Sequence, residues 1–304
     1  MRSSFDAQRS GGHHGLLLFC TRDARLADLF RCRVSSTDHL SVRSVKLLTI
    51  ARDLQRRKAR EKNQRFVVEG VRSVESLLDS PVQVTGILAA PGLARDTRGL
   101  AILARAEQNN IPVLPVSDAE FASAASTDTP QGVLAIAEIP DYRMAAPKTS
   151  VRYLVLDALQ DPGNVGTIIR SAAAFGVTAT VCLPGTVDVW NAKVVRSAMG
   201  ALFSHPAVQL TGAEFGEFCH SHKVECWAAD TEGTPLTLVT SVPPRLALIV
   251  SNEGAGLSAD AAALATQRVA IAMASGVESL NVAVATGILL HALRLPLHTP
   301  TAVP

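Results

Sequence analysis

Five polar side chains in the second half of the chain have the types and spacing that chemistry needs: Asn164, Arg170, Glu253, Ser279 and Asn281. They fall within three segments: LDALQDPGNVGTIIRSAAAFG from Leu156, LIVSNEGAGLS from Leu248 and IAMASGVESLNVAVATGILLHALR from Ile271. Each segment joins an apolar, strand-like run to a loop of Gly, Asn and Ser. Such a loop presents backbone N–H and C=O groups that a nucleotide-like ligand uses. In the first segment, Pro162, Gly163, Asn164 and Gly166 turn the chain out of a strand. Arg170 then falls on the second turn of the following helix, where a guanidinium meets a phosphate approaching the helix start. The same residues have plainer readings. Asn164 serves equally as a helix cap, Arg170 as a surface charge, Glu253 as an exposed turn carboxylate and Asn281 as a polar residue at a helix start.

The GAG of the second segment also invites comparison with a dinucleotide-binding loop, and Glu278 lies at roughly the downstream distance of that loop's ribose acid. The third glycine of that motif is missing. Fewer than ~50 residues follow, too few for the remaining strand and helix units of a dinucleotide fold. A nicotinamide-dependent oxidoreductase therefore stands as a rival that topology disfavours.

Behind these loops the pattern is a strict alternation. YLVLDAL, TATVCLP, PAVQL, VECWAAD, RLALIVS and RVAIAM read as strands, with helices over residues 164–175, 191–203 and 258–265 between them. Continuous apolar strands flanked by helices predict a parallel sheet covered on both faces, with ligands at the carboxyl ends of its strands. Ser258 and Ser279 are the expected caps of the helices after the second and third loops. Before the linker PDYRMAAPKTS, shorter runs RFVVEG, VTGILAA, IPVLPVS and GVLAIAEI alternate with helical stretches and predict a smaller α/β domain. It opens with a single basic helix, SVKLLTIARDLQRRKAR. The expected organisation is an extension over 1–43, a first domain over 44–139, a linker over 140–150, a second domain over 151–296 and a tail over 297–304.

The chain has 304 residues, 47% apolar and 18% charged, which excludes disorder as a whole and suffices for two domains. Its apolar runs are too short to cross a bilayer. The five cysteines include no CxxC pair, so neither a disulfide scaffold nor a metal site is expected, and reduced thiols point to the cytoplasm. The net charge of +2 conceals an asymmetry, because about half of the 29 Lys and Arg precede Phe66. The densest cluster, with Arg56, Arg57, Lys58, Arg60 and Arg65, is the candidate RNA contact, or else a solvated helix face.

Taken jointly and in this order, the three segments resemble the motifs of the SpoU/TrmH family of RNA ribose 2′-O-methyltransferases, of the SPOUT class. Asn164, Gly166, Arg170 and the Phe175–Gly176 pair fall on the first motif, SNEGAGLS with Glu253 on the second, and Ser279, Leu280 and Asn281 on the third. The resemblance runs from about Val45 to Arg294. It implies a ribosomal-protein-like (L30e-like) substrate-binding domain followed by a parallel-sheet catalytic domain whose last segments form a deep trefoil knot, an exception to the rule against knots. It also implies a homodimer with sites completed across the interface. S-adenosylmethionine is implied as methyl donor, held by Ser251, Asn252, Gly254, Gly256, Ile271, Met273 and Leu280, with Arg170, Asn164, Glu253, Ser279 and Asn281 around the reaction. Two positions depart from the family: Ser251 stands where Gly is usual, and Ala272 where Pro is usual. The implied activity is methyl transfer to a ribose 2′-hydroxyl, of rRNA before tRNA because a separate binding domain is present. A non-catalytic RNA-binding protein and a base methyltransferase of another SPOUT branch are the alternatives.

Overall fold

The computed structural model describes residues 42–147, 149–252, 254, 256–277 and 279–295. The residues expected to form an N-terminal extension lie outside this set except for the last two, and the tail over 297–304 lies wholly outside it. No helix among the described residues is long and apolar enough to cross a membrane.

Two sheets organise the chain. The first contains β1 (Arg65–Glu69), β2 (Val84–Ala89), β3 (Val113–Pro115) and β4 (Val133–Glu138) in the order β1-β4-β2-β3. Strand β4 is antiparallel to both neighbours, while β2 and β3 run parallel. Helices α1 (Val42–Asp53), α2 (Arg57–Asn63), α3 (Val71–Leu78), α4 (Thr97–Gln108) and α5 (Asp118–Ala124) surround it. Alternation along the strands divides its faces. Val67, Leu88, Leu134 and Ile136 pack with Leu48, Ala51 and Leu54 of the α1 region, whereas Phe66, Val68, Ile87 and Ala135 face the second sheet's core.

The second sheet is parallel throughout, as the continuous apolar runs predict, and its order is β10-β8-β9-β5-β6-β7. Its strands are β5 (Val151–Asp157), β6 (Ala179–Cys182), β7 (Ala207–Gln209), β8 (Glu225–Pro235), β9 (Arg245–Ser251) and β10 (Gln267–Ala270). Helices α6 (Pro162–Ala174), α7 (Ala192–Ser197) and α10 (Val282–Leu293) supply one apolar layer, with Val165, Ile168, Val194 and Leu289 packed on Leu154, Leu156 and Leu248. Helices α8 (Gly212–His222) and α9 (Ala259–Leu264) cover the other face, where Phe215 and Ala261 meet Val155 and Ile249. Strand β8 is longer than the VECWAAD run. Its pairing with β10 shifts register between Arg268 and Val269, which brings Thr234 and Pro235 opposite Val269 and Ala270.

The single basic helix expected from Ser44 to Arg60 is two helices. At the break, Arg56 is extended, with φ −95° and ψ 134°. The break leaves the carbonyls of Leu54 and Gln55 pointing inward, and both accept from Arg60 Nη1, at 2.7 and 2.9 Å. The rest of the guanidinium pairs with Asp188: Nε and Nη2 lie 2.7 and 2.6 Å from Oδ2. With only 3% of its side chain exposed, Arg60 is no part of a solvent-facing basic cluster, which corrects its assignment to RNA contact. Periodicity misses this because a basic residue on a helix normally faces water, and only the carboxylate arriving from 128 positions away reverses the preference. Trp190, whose backbone N–H donates to Asp188 Oδ1, packs its ring at a tilt of 44° on Phe66 of β1, 4.5 Å between ring centroids. The two sheets therefore share one core and one buried ion pair.

Removing one partner of a buried pair leaves the other charged and desolvated, at a cost of about 3–5 kcal/mol. Arg60→Leu is expected to lower the melting temperature by several degrees. Melting within a degree of wild type in calorimetry would show that the pair does not hold the sheets together.

Candidate functional site

The carboxyl edge of the second sheet is where the chain's polar side chains converge. Strand β5 ends at Asp157, opposite Ser251 at the end of β9. Asp157 is buried, and its Oδ2 accepts from the N–H of Ser258 at 2.7 Å, which ties the loop after β9 to the neighbouring strand. Its other oxygen has no hydrogen-bond partner among the described residues. Ser258 also caps α9 through Ala261 N, as expected. Within the loop, Asn252 O accepts from Gly256 N at 3.0 Å and Asn252 Oδ1 from Gly254 N at 3.1 Å, while Gly256 takes φ +67°, a conformation that favours glycine. Ser251 is an ordinary β residue without positive φ, so a side chain is accommodated where the family usually has Gly. Glu253 lies outside the described residues.

The first and third loops meet through their asparagines. Asp161 caps α6, its Oδ1 accepting from Asn164 N at 2.7 Å, with Pro162 in the first turn. Asn164 is therefore not the cap, which frees its amide side chain. Asn281, rather than Ser279, caps α10: its Oδ1 accepts from Ala283 N and Val284 N at 3.0 and 3.3 Å. Its Nδ2 donates to Asn164 Oδ1 at 3.1 Å, joining residues 117 positions apart. The asparagine both starts the helix and reaches the first motif. At the other end of α10, the buried Arg152 donates to Leu293 O at 2.5 Å and to the carbonyls of Val151, Pro243 and Pro244, a cation where the helix carbonyls end.

A cavity of about 210 Å³ opens between β8, β9 and the third loop. Of the residues expected to hold a donor, Ser251, Asn252, Gly256, Ile271, Met273 and Leu280 line it, and Ser279 joins them. Gly254 does not; it is exposed and bonded back to Asn252. The lining also contains Ala229, Asp230 and Thr231 of β8 and Thr286 of α10, none of which the sequence reading named. The signal for the first three was present, since VECWAAD is a strand of the same sheet and its carboxyl end had to face the same side. Asp230 accepts from Arg268 Nη1 at 2.7 Å and from its own loop at Glu232 N. Polar residues Asp230, Thr231, Ser251 and Asn252 beside the aliphatic walls of Val250, Val269 and Leu289 suit a nucleoside-like molecule with polar edges and a flat apolar face.

A second, shallower groove of about 620 Å³ runs between α6 and α10, lined by Asn164, Thr167, Asn281, Val284, Ile288 and His291 among others. Val284 and Ile288 are large apolar residues left exposed there. Arg170 lies on the exposed side of α6, lines neither cavity and forms no ion pair among the described residues. The basic cluster is largely neutralised: Arg56 pairs with Asp53, Arg57 with Glu61 at 2.7 Å, and Arg65 with Glu138 at 3.7 Å, leaving Lys58 exposed without an ion pair among the described residues.

Comparison with known proteins finds relatives along most of the chain. Residues 152–291 match the SpoU rRNA methylase family model, and residues 45–135 match a model of the MRM3-like substrate-binding domain. The 23S rRNA (guanosine(2553)-2′-O)-methyltransferase RlmP of Bacillus subtilis is 34% identical over 242 residues, covering 79% of this chain and 93% of that protein. A 23S rRNA (uridine(2479)-2′-O)-methyltransferase of Streptomyces viridochromogenes is 32% identical, with 82% and 89% covered. Among solved structures, the AdoMet-bound rRNA methyltransferase from Sinorhizobium meliloti superposes with a TM-score of 0.71 at 27% identity, covering 81% of this chain and 93% of that one. With its three motif loops gathered on one sheet edge and relatives matched along nearly their whole length, the chain belongs to the SpoU rRNA methylase family.

Proposed function

We propose that the protein transfers a methyl group from S-adenosylmethionine to a ribose 2′-hydroxyl of rRNA. The observation that carries this reading is the cavity where loops from β8, β9 and the third segment meet, directly behind the Asn164–Asn281 hydrogen bond. Relatives named as 23S rRNA 2′-O-methyltransferases and a similar structure with AdoMet bound support it.

Main-chain groups of Ser251, Ile271 and Leu280, with Asn252, Gly256 and Met273 beside them, would hold the donor. When bound, it supplies an electrophilic methyl group on a sulfonium. The chain's own residues supply position and charge, because rate in such a transfer comes mainly from alignment of the reacting atoms. Asn281 fixes the start of α10 and orients Asn164, and Ser279 stands at the cavity mouth. Arg170 is read as the ligand of the nucleotide's phosphate and of the oxygen as it gains negative charge. A guanidinium stays protonated and makes a poor base, but binds such oxygens in fork geometry. Glu253 is kept in the site on the second motif alone.

Since Arg170 is exposed and lines neither cavity, it is proposed to complete the site of a second copy. The groove of Val284 and Ile288 beside Asn281 is the surface on which that copy would sit. The deep trefoil knot and the L30e-like character of the first domain belong to the same proposal. They are supported by the match to the substrate-binding model and by loops far apart in sequence lining one cavity. The cytoplasm is the compartment we expect for three buried free thiols.

Incubation with tritiated S-adenosylmethionine and unmethylated rRNA, followed by digestion to nucleosides and mass analysis, is expected to yield a ribose-methylated nucleoside. Methylation found only on a base would refute the reading. Asn281→Ser keeps a good capping residue but is too short to reach Asn164, so stability should hold within a few tenths of a kcal/mol while turnover falls at least ~10-fold. Equal loss of both would reduce Asn281 to a cap. Val284→Asp with Ile288→Asp should shift a sedimenting dimer to monomer and abolish turnover; an active monomer contradicts the shared site.

A further inference from the structure

The short helix α7 touches both the substrate-binding sheet and the helix carrying Arg170. Its loop enters through Trp190, packed on Phe66 of β1, and through Asp188, held by Arg60. On the other side it lies against α6 so closely that a Cβ on Gly166 would come within 2.5 Å of Ser197 Cβ and 2.6 Å of Val194 O. Gly166 thereby presses α7 onto the turn of α6 between Asn164 and Arg170.

Two cations project from α7. Lys193 is exposed, and Arg196, partly exposed, donates from Nη1 to Ser126 Oγ at 3.1 Å, across the seam into the first domain. Neither forms an ion pair among the described residues. The carboxylate on Ser126, the partner of Arg196, and the carboxylate in the loop entering α7 are both engaged. Glu69 accepts from Ser126 N and Oγ and from Thr127 Oγ1, and Asp188 is taken by Arg60 and Trp190 N. In the expected RNA cluster Arg56, Arg57 and Arg65 each face an acid, and only its lysines, Lys58 and Lys62, share the state of the α7 cations among the described residues. A phosphate gains most from a cation that carries no counter-charge of its own, and a guanidinium with one N–H used retains others for oxygen ligands.

We propose that α7 is a phosphate track, on which Lys193 and Arg196 carry the RNA backbone across the seam from the substrate-binding sheet to Arg170. This rests on the RNA-directed reading above and locates its main electrostatic contact at α7 rather than at the Arg56–Arg65 cluster. The ion pair and the glycine contact then have a role in binding, since they hold the track at a fixed distance from the reacting edge.

The test measures binding of the full-length protein to a fluorescein-labelled, unmethylated large-subunit rRNA transcript between ~50 and ~200 mM salt. Lys193→Ala combined with Arg196→Gln should lower the slope of log affinity against log salt by about one for each cation removed. Uptake of S-adenosylmethionine in calorimetry should be unchanged. Arg57→Ala combined with Arg65→Ala should keep nearly the wild-type slope. Because Lys193 is exposed, Lys193→Ala alone leaves folding intact and should still remove about one from the slope. A wild-type slope in both α7 variants overturns the track while leaving the methyltransferase reading in place. A wild-type protein without salt-dependent RNA binding overturns both.

Discussion

One hydrogen bond between two asparagines organises this molecule's reactive edge. Asn164 and Asn281 belong to helices at opposite ends of the catalytic half, and each is available to the other only because a neighbour has taken its obvious task. Asp161 caps α6, so Asn164 need not. Asn281 caps α10 with its oxygen, so its amide nitrogen remains to donate. Both asparagines line the apolar groove, and Leu280 and Val282 on either side of Asn281 line the main cavity, so one short segment serves both.

The surrounding structure holds that edge with buried polar contacts rather than with apolar area alone. Asp157 fixes the loop after β9, Arg152 ties the Leu293 carbonyl of α10 to those of Val151, Pro243 and Pro244, and Arg60 with Asp188 locks the first domain against the loop leading into α7. Buried polar groups of this kind cost desolvation and contribute little net stability when satisfied, but they penalise other arrangements heavily. Here that selectivity fixes distances between elements that must meet at one substrate.

Much of the architecture was legible because local signals agreed with it. Continuous runs such as RLALIVS and YLVLDAL dictated buried parallel strands, and the loops after them had to open on one side. Ser258 was recognisable as a cap from the residues it precedes. What stayed hidden depended on partners far away in sequence. Nothing local distinguishes Arg60, bound inward to Asp188, from Lys58, exposed two residues earlier. The exchange of capping roles, Asp161 for Asn164 and Asn281 for Ser279, turns on shifts of a few residues that several polar neighbours satisfy equally well from sequence. Asp230 and Thr231 lie in the stretch of β8 that the register shift against β10 skips, which no local pattern announces, although the run VECWAAD already placed their end of the strand on the reactive side.

Motif residues and cavity coincide at the edge of the parallel sheet, and the account stands on that cavity taking up a cationic methyl donor. Calorimetric titration of S-adenosylmethionine into the purified protein tests this most directly. The account predicts saturable uptake that is lost when Ala285, in the cavity wall, is replaced by Trp while the protein stays folded. No uptake by the wild type, or undiminished uptake by Ala285→Trp, would contradict it.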